Sequence, residues 1–582
     1  MTEQLIKEDA NLDGIDQEQK PSRMKKYIIF GALIIVIAII IVVILIVVSK
    51  SKNNADNSGN SGNSDDSDVP IDLAYNISTV NFPSDIKYIG SHYNYQGDLF
   101  LIYKKNTSEN YFVGIASDEG EIKKELLEIR KEEIVDETYI HRASSFSDGK
   151  RVYIGGKILE CTNQFLECND AKLIDLVFPK ELEEMPNLLY LFTEPIINYG
   201  GKHIFWSTFD NNMNILNFVG ELNFKEGKYF IENTKGLSNY FYDLYDKEKG
   251  TYSLPEILRF GPIKQVVRGG EGLSIGGFLN YGLRKGIYQS LSKDNLTQLT
   301  FFEGYDETTS FSPDSKLACV MTTRFSEHTS FEIIGLIPTP YSILASYLFS
   351  IHIMKISILN IRKNKTIKGN LGPALVDLQK VKEDKNYKGE SLKTDDKWNF
   401  YGFISWSPDG TKIMFDEVDK GMENRRCQIV KLKNYKPVIT EPQNNFDGNV
   451  PYARTIAETL NLHLDYPINI NVNGTSGDLE IFQNQTKCEI TYNNYTEDNE
   501  VFYNGTYYYE KFPNKKYAIF KVDIVSEGKK KGFCKYRLWF DMTDNVLLFD
   551  EADDGYNKTY GNCDYEGREI NVDVYQYEKM DD

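Results

Sequence analysis

Read for its alternation of apolar and polar positions, the chain divides into parts of very different texture. Residues 27–48 (YIIFGALIIVIAIIIVVILIVV) are an unbroken apolar run of 22 residues without a charge. As a helix rising about 1.5 Å per residue the run reaches roughly 33 Å, enough for a hydrocarbon core of about 30 Å, and so predicts one transmembrane helix. The run is longer than a signal-peptide core and ends in Val-Val-Ser-Lys-Ser-Lys, with no small-residue cleavage site. Residues 49–69 hold almost nothing apolar and repeat Asn-Ser-Gly, the composition of a disordered stalk.

From residue 70 to about 450 the text becomes short strand-like runs separated by polar turns. Examples are 99–103 (LFLIY), 152–155 (VYIG), 203–207 (HIFWS), 356–361 (ISILNI) and 413–415 (IMF). Period-two or wholly apolar runs of this length, with few long amphipathic helices, predict a mainly β fold. The charged stretch 122–135 (IKKELLEIRKEEIV) fits either a helix or an exposed hairpin. In residues 451–582, one short helix is expected at 455–463. Strand-like runs follow at 479–482, 489–492, 501–509, 517–525, 536–540, 546–549 and 570–577. These predict a separate antiparallel β domain. The stretch 536–549 faintly resembles a half-barrel of the lipoprotein-carrier type.

A ten-residue pattern recurs. It reads SFSDGKRVYI at 145–154, SFSPDSKLAC at 310–319 and SWSPDGTKIMF at 405–415. Its content is strand, tight turn, strand. Phe146, Phe311 and Trp406 pack inward; Pro313 and Pro408 preset the turn's φ. Asp148, Asp314 and Asp409 hydrogen-bond their own backbone, and Gly149 and Gly410 accept positive φ. The pattern resembles the Ser-Pro-Asp-Gly turn of WD-like β-propeller repeats, as in TolB and dipeptidyl-peptidase-type proteins. Ser315 takes the glycine place in the second copy, and the first lacks the proline. Weaker turns at Gly97 and Gly201 give turn positions 97, 149, 201, 315 and 410, with gaps of 52, 52, 114 and 95. Two near-double steps place unrecognised blades near 258 and 362, for about seven blades in all, with six or eight as alternatives.

Charge sets the expected topology. Lys20, Arg23, Lys25 and Lys26 precede the apolar run. Only Lys50 and Lys52 follow closely, and acidic residues come next (Asp56, Asp65, Asp66, Asp68). This predicts a single-pass signal-anchor with residues 1–26 cytoplasmic and the rest extracellular or lumenal. Nine glycosylation sequons agree, since all follow the run: Asn76, Asn106, Asn295, Asn364, Asn473, Asn484, Asn494, Asn504 and Asn557. Of seven cysteines, Cys161 and Cys168 are placed for a local disulfide, and two of Cys488, Cys534 and Cys563 for another. Cys319 and Cys427 read as buried small hydrophobes. A second apolar stretch, 333–354, has no acidic, lysine or arginine side chain. Pro338, Pro340 and His352 argue against a membrane helix there, so an insertion in the ectodomain is expected. A second crossing and a gene-model artefact are the alternatives.

A net charge of −19 over 582 residues argues against a nucleic-acid partner. The order of tail, anchor, stalk and propeller is similar to dipeptidyl-peptidase-type membrane proteins, whose C-terminal α/β-hydrolase domain supplies the chemistry. The strand-rich residues after 450 lack a nucleophile elbow and the alternating helices of such a domain. Gly272-Leu-Ser274-Ile-Gly276 has the elbow's spacing but sits in a loop-like context. Glu183 and Glu184 match that family's acidic pair and read as a solvated face. The histidines (His92, His141, His203, His328, His352, His463) show no metal-ligand spacing, and no Cys-x-x-Cys occurs. The expectation is therefore no catalytic, cofactor or metal site. The predicted activity is non-enzymatic recognition of a protein, peptide or glycan ligand on a propeller face. A dipeptidyl-peptidase-like pseudoenzyme or hydrolase accessory subunit is the alternative, and a lipid- or envelope-handling protein the second.

Overall fold

The computed structural model describes residues 73–571 apart from 135–139, 141–142, 185–187, 211–214, 238–244, 247–250, 253–260, 268–269, 278–284, 303–305, 323, 326–371, 386, 396, 420–423, 438–445, 461–467, 485, 497–498, 513–516, 542–545, 549–558 and 566–567. The expected tail (1–26), anchor (27–48), stalk (49–69) and second apolar stretch (333–354) lie outside the described residues. Among those described, no helix is long and apolar enough to cross a membrane.

The chain first lays down β1 (Tyr75–Thr79) and then builds four-stranded antiparallel meanders. Blade 1 is β2 (Ile86–Tyr93), β3 (Leu99–Lys105), β4 (Tyr111–Ala116) and β5 (Ile122–Ile129). Blade 2 is β6 (Ala143–Ser145), β7 (Arg151–Ile154), β8 (Lys157–Glu160) and β9 (Lys172–Val177). A helical turn, α1 (Lys180–Glu183), leads to blade 3: β10 (Leu188–Ile197), β11 (His203–Asp210), β12 (Ile215–Lys225) and β13 (Lys228–Gly236). A small hairpin of β14 (Tyr245–Asp246) and β15 (Thr251–Tyr252) precedes blade 4: β16 (Ile263–Val267), β17 (Gly272–Gly277), β18 (Lys285–Ser290) and β19 (Leu296–Gln298). Blade 5 is β20 (Asp306–Phe311), β21 (Leu317–Thr322), β22 (Gly372–Asp377) and β23 (Glu390–Ser391), with α2 (Leu378–Glu383) between its last two strands. Blade 6 has β24 (Trp398–Trp406), β25 (Lys412–Asp419) and β26 (Arg425–Leu432). Its fourth strand is β1, antiparallel to β26 with Tyr75 opposite Leu432 and Thr79 opposite Gln428.

The first strand of each meander touches the first strand of the next. β2 meets β6, β6 meets β10, β10 meets β16, β16 meets β20, β20 meets β24, and β24 returns to β2. That closed cycle is a β-propeller arrangement. Successive blades share apolar cores, such as Leu99, Leu101 and Tyr103 with Met414, Cys427 and Ile429 between blades 1 and 6. Strands buried on both faces explain why runs like LFLIY are wholly apolar. Blades 2 and 3 are further joined by a short parallel pairing of Tyr229 with Leu176 and Phe230 with Val177.

Six four-stranded meanders lie among the described residues, where the spacing gives about seven with six or eight as alternatives. The step from 201 to 315 does hold one extra blade, blade 4. In the step from 315 to 410 the described residues add no further meander, and Thr322 and Gly372 are direct partners in the β21–β22 ladder. The stretch of sequence between these two partners counts in the spacing as a blade, and residues 323 and 326–371 lie outside the described residues. Positions 258 and 362 themselves lie outside the described residues. The ambiguous stretch at 122 forms strand β5 and then a 3-10 turn at Lys131–Glu133.

After β26 the chain does not leave the propeller at 451. Phe446 and Val450 are buried in the core between blades 3 and 4, beside Phe205, Val219, Ile263 and Leu273. Gly236 and Arg454 exchange backbone hydrogen bonds of 2.9 and 3.0 Å. α3 (Ile456–Leu460) opens on a capping box. Glu458 accepts from the Thr455 backbone at 2.8 Å, and the Thr455 hydroxyl accepts from the Glu458 backbone at 3.2 Å. Ile456 and Leu460 then pack against blade 2 and blade 3 side chains. The propeller-packed chain therefore runs through Leu460.

Beyond it a single antiparallel sheet runs in chain order. It comprises β27 (Ile468–Asn473), β28 (Ser476–Gln483), β29 (Lys487–Thr496), β30 (Val501–Lys511), β31 (Tyr517–Gly528), β32 (Gly532–Asp541), β33 (Val546–Leu547), β34 (Tyr560–Tyr565) and β35 (Arg568–Asn571), with β33 and β34 both on β32. Burial alternates: Ala518, Phe520, Val522 and Ile524 are buried, while Lys521, Asp523 and Val525 are exposed. Two disulfides form, Cys161–Cys168 and Cys534–Cys563, the latter between register partners of β32 and β34. Cys319, Cys427 and Cys488 are free and buried.

Candidate recognition face

The recurring pattern occupies one place in the fold, the turn from a blade's first strand to its second. In blades 1, 2, 3, 5 and 6 the turn is closed by a backbone hydrogen bond across three residues. Gly97 donates to Asn94 (3.1 Å), Gly149 to Phe146 (3.4 Å), Gly201 to Asn198 (2.8 Å), Ser315 to Ser312 (2.8 Å) and Gly410 to Ser407 (2.8 Å). The donor has positive φ in every case: 87°, 65°, 66°, 58° and 67°. Glycine adopts this conformation freely, and Ser315 adopts it against its Cβ.

Asp148 Oδ1 accepts from the backbone of Lys150 (2.9 Å) and Arg151 (3.2 Å). Asp314 accepts from Lys316 (3.2 Å), and Asp409 from Thr411 (3.1 Å). In the Ser-Pro-Asp turns a serine opens the loop: Ser312 and Ser407 hydroxyls accept from Leu317 (3.0 Å) and Lys412 (2.9 Å). In blades 1 and 3 an asparagine holds that place. Asn94 Oδ1 accepts from Gln96 and Asp98 at 3.0 Å each, and Asn198 Oδ1 from His203 at 2.9 Å. Asn94-Tyr-Gln-Gly97 and Asn198-Tyr-Gly-Gly201 share Asn-Tyr-x-Gly, a signal that a search on Ser-Pro-Asp-Gly passes over.

Residues flanking the turns tie blades together. Phe146, Phe311 and Trp406 are buried, and the Trp406 indole donates to the Ser310 carbonyl at 3.0 Å. The Ser405 hydroxyl accepts from the Tyr93 backbone at 3.0 Å, and His92 Nε2 meets the Ser145 hydroxyl at 2.7 Å. Burial lowers the His92 imidazole to about 4, which keeps it neutral. Ser274 belongs to the same system. It lies fully buried on β17 and donates to the Thr309 carbonyl at 2.7 Å, so it joins blades 4 and 5 and has no access to a substrate. Glu183 and Glu184 are exposed at the end of α1, with Glu184 3.2 Å from Lys180.

Buried ionisable side chains lie within the ring. Asp306 and Arg324 pair at 2.7 Å with both side chains almost fully buried. Tyr88 on β2 donates to Asp416 on β25, and its hydroxyl lies 2.8 Å from that of Ser91. Burial pushes the Asp416 carboxyl up to about 8. Among the described residues no group of three or more His, Cys, Asp or Glu is placed to hold a metal.

The position after the first turn residue separates the ring into two halves. It is Tyr95 in blade 1, Ser147 in blade 2 and Tyr199 in blade 3, but Pro313 in blade 5 and Pro408 in blade 6. The proline half is overlaid by the segment after β26. Tyr435 donates to Asp314 at 2.6 Å, and a Cβ placed on Gly410 would lie 2.9 Å from Pro437. Farther on, Phe446 backs onto Gly270 of blade 4 and stacks edge-on against His203, 4.8 Å between ring centroids.

Among the sequons, Asn76, Asn106, Asn295, Asn473, Asn494 and Asn504 are exposed and Asn484 is half-buried. Asn364 and Asn557 lie outside the described residues.

No protein-family model and no curated protein matches the chain. Among solved structures it is similar to TolB from Agrobacterium tumefaciens at 11% identity, covering 49% of this chain and 75% of that one, with a TM-score of 0.28. TolB from Acinetobacter baumannii gives 11% identity, 61% and 66% coverage and a TM-score of 0.25. Prolyl oligopeptidase B from Galerina marginata gives 10% identity and a TM-score of 0.26, covering 70% of this chain but only 47% of the peptidase. Likeness at this level carries no conclusion about function, and the propeller arrangement stands on the closed cycle of first strands.

Proposed function

We propose that the protein is a single-pass membrane-anchored recognition propeller of six blades, with its N-terminus cytoplasmic and its ectodomain extracellular or lumenal. The observation that carries the recognition reading is the division of the turn face, half of it overlaid by the chain's own segment and half of it offering tyrosine and amide side chains. Rigid rings of turns on a closed β scaffold suit binding, because the scaffold fixes loops of freely variable sequence. The blade count rests on the cycle of first strands and on β1 completing the last sheet.

Anchoring rests on the apolar run 27–48, the basic residues ahead of it and the sequons behind it. The exposed placement of six sequon asparagines suits glycan addition at those positions. Treatment of membrane-expressed protein with a glycosidase is expected to increase its mobility, and an unchanged band counts against a lumenal ectodomain. Protease added to sealed vesicles distinguishes the sides independently.

A second reading, lipid or envelope handling, is favoured by the C-terminal sheet. Its buried positions include Tyr492, Tyr507, Tyr509, Phe520 and Tyr536, an aromatic-rich face of an up-and-down meander. Native mass spectrometry that finds a stoichiometric lipid would establish this reading, and a lipid-free spectrum would reject it.

A further inference from the structure

We infer that the open half of the turn face, centred on Tyr95 and Tyr199, binds an uncharged saccharide. The inference rests on the recognition reading above and names the ligand class for that face.

The two tyrosines occupy equivalent turn positions in blades 1 and 3, and their rings meet edge-on at a centroid distance of 5.3 Å. The blade 2 turn lies between them in chain order and locks to Tyr199, as the Ser147 hydroxyl donates to the Tyr199 carbonyl. Tyr95 is 38% exposed, a large area for an aromatic side chain held in a closed turn. Around the pair stand the exposed amides of Gln96 and Gln164. A Cβ on Gly149 would fall within 2.4 Å of both amides, so the three turns converge on one small patch.

The charges of this patch are neutralised locally. Asp148 pairs with Arg151 at 2.7 Å, and Asp98 with Lys123 at 2.6 Å. Arg151 also lies 4.3 Å over the Phe146 ring. Lys150, next to the blade 2 turn, is half-buried, and Lys202, next to the blade 3 turn, is exposed. Aromatic faces present an apolar body with a polar tip, and primary amides offer paired donors and acceptors. Together they complement a ring with C–H groups on its face and hydroxyls at its edge. An anionic lipid or phosphopeptide would need unpaired cations at the centre, and an apolar peptide would cover the Gln96 amide without pairing it, while the Gln164 Nε2 already donates to the Asp148 carbonyl at 2.8 Å. The equivalent positions in blades 5 and 6 are prolines, Pro313 exposed and Pro408 half-buried, and the segment after β26 meets the neighbouring Asp314 and Gly410, so among the described residues the tyrosine pair is found in blades 1 and 3.

The test uses the full chain in detergent micelles and an array of immobilised neutral hexose and N-acetylhexosamine oligosaccharides. At least one sugar is expected to bind, with affinity falling about tenfold or more in the Tyr95→Ala/Tyr199→Ala double variant. Tyr95→Phe keeps the ring and is expected to keep most of the binding. Tyr435→Phe, remote on the overlaid half, serves as the folding and binding control. Sugar binding indifferent to the double alanine variant overturns the inference, and so does failure of every neutral sugar to bind. A peptide that binds in a Tyr95-dependent way would overturn the saccharide class while leaving the recognition reading standing.

Discussion

The phenol of Tyr88, on the first strand of blade 1, donates to the buried carboxyl of Asp416, on the second strand of blade 6. This bond crosses the joint where the two ends of the propeller chain meet. Burial pushes Asp416 up to about 8; the Glu417 charge adds to the rise, while Tyr88 and Arg425 oppose it. An unfolded aspartate titrates near 3.9, so the folded chain holds a proton that the unfolded chain has released. The stabilisation is complete below about pH 4 and is lost as pH rises towards about 8, at roughly 1.4 kcal/mol per unit for this group. Denaturant unfolding at pH 5, 6.5 and 8 is expected to show that slope. Asp416→Asn should flatten it and leave the variant more stable than the parent at pH 8. An unchanged slope would remove Asp416 as its source.

The wedge between blades 3 and 4 makes a second prediction. Phe446 is buried against His203 and Phe205, with ring centroids at 4.8 and 5.3 Å. Phe446→Ala should cost about 3–5 kcal/mol, the usual range for removing a buried aromatic. Thermal unfolding checks this, and a change under about 1 kcal/mol would show that the segment lies on the ring without supporting it.

The turn positions give a pair of opposite outcomes. Ser315 holds φ of 58° where its counterparts are glycine. Ser315→Gly should therefore stabilise by up to about 1 kcal/mol, the lost left-handed strain less the added chain entropy. Gly410→Ala should destabilise by about 1–3 kcal/mol, because it adds strain at φ 67° and sets a Cβ 2.9 Å from Pro437. Melting temperatures of the two variants moving the same way would contradict the shared geometry.

Cysteine accessibility supplies a fourth. Cys319, Cys427 and Cys488 are buried thiols, and burial pushes Cys488 up to about 12. The native chain is expected to resist alkylation at all three, and the denatured, unreduced chain to take up three labels. Peptide mapping that finds Cys488 in a disulfide would refute the Cys534–Cys563 pairing.

What the sequence made legible was local. A proline, an aspartate and a glycine in a row dictate a turn by their own φ preferences and hydrogen bonds, and those turns stand where the pattern located them. The blade number was not local. Residues 323–371 occupy about one blade of chain, yet Thr322 faces Gly372 directly, and only the ladder reveals it. The turns of blades 1 and 3 are weaker signals because asparagine does there what serine and aspartate do elsewhere. Phe446 and Val450 have no periodicity to betray them, since they enter a core built by strands two hundred residues earlier in sequence. The choice among Cys488, Cys534 and Cys563 was likewise settled by register, with β32 and β34 adjacent and β29 elsewhere in the sheet.

The borrowed strand β1 gives the molecule a mechanical character. A tether attached ahead of Tyr75, as proposed, hands any pull first to the five register pairs from Tyr75–Leu432 to Thr79–Gln428. The same pairs complete the last sheet, so the link that holds the protein to its support is also the clasp of its ring. A tug strong enough to strip β1 would open the circle at blade 6, next to the Tyr88–Asp416 bond, and rising pH would lower the force required.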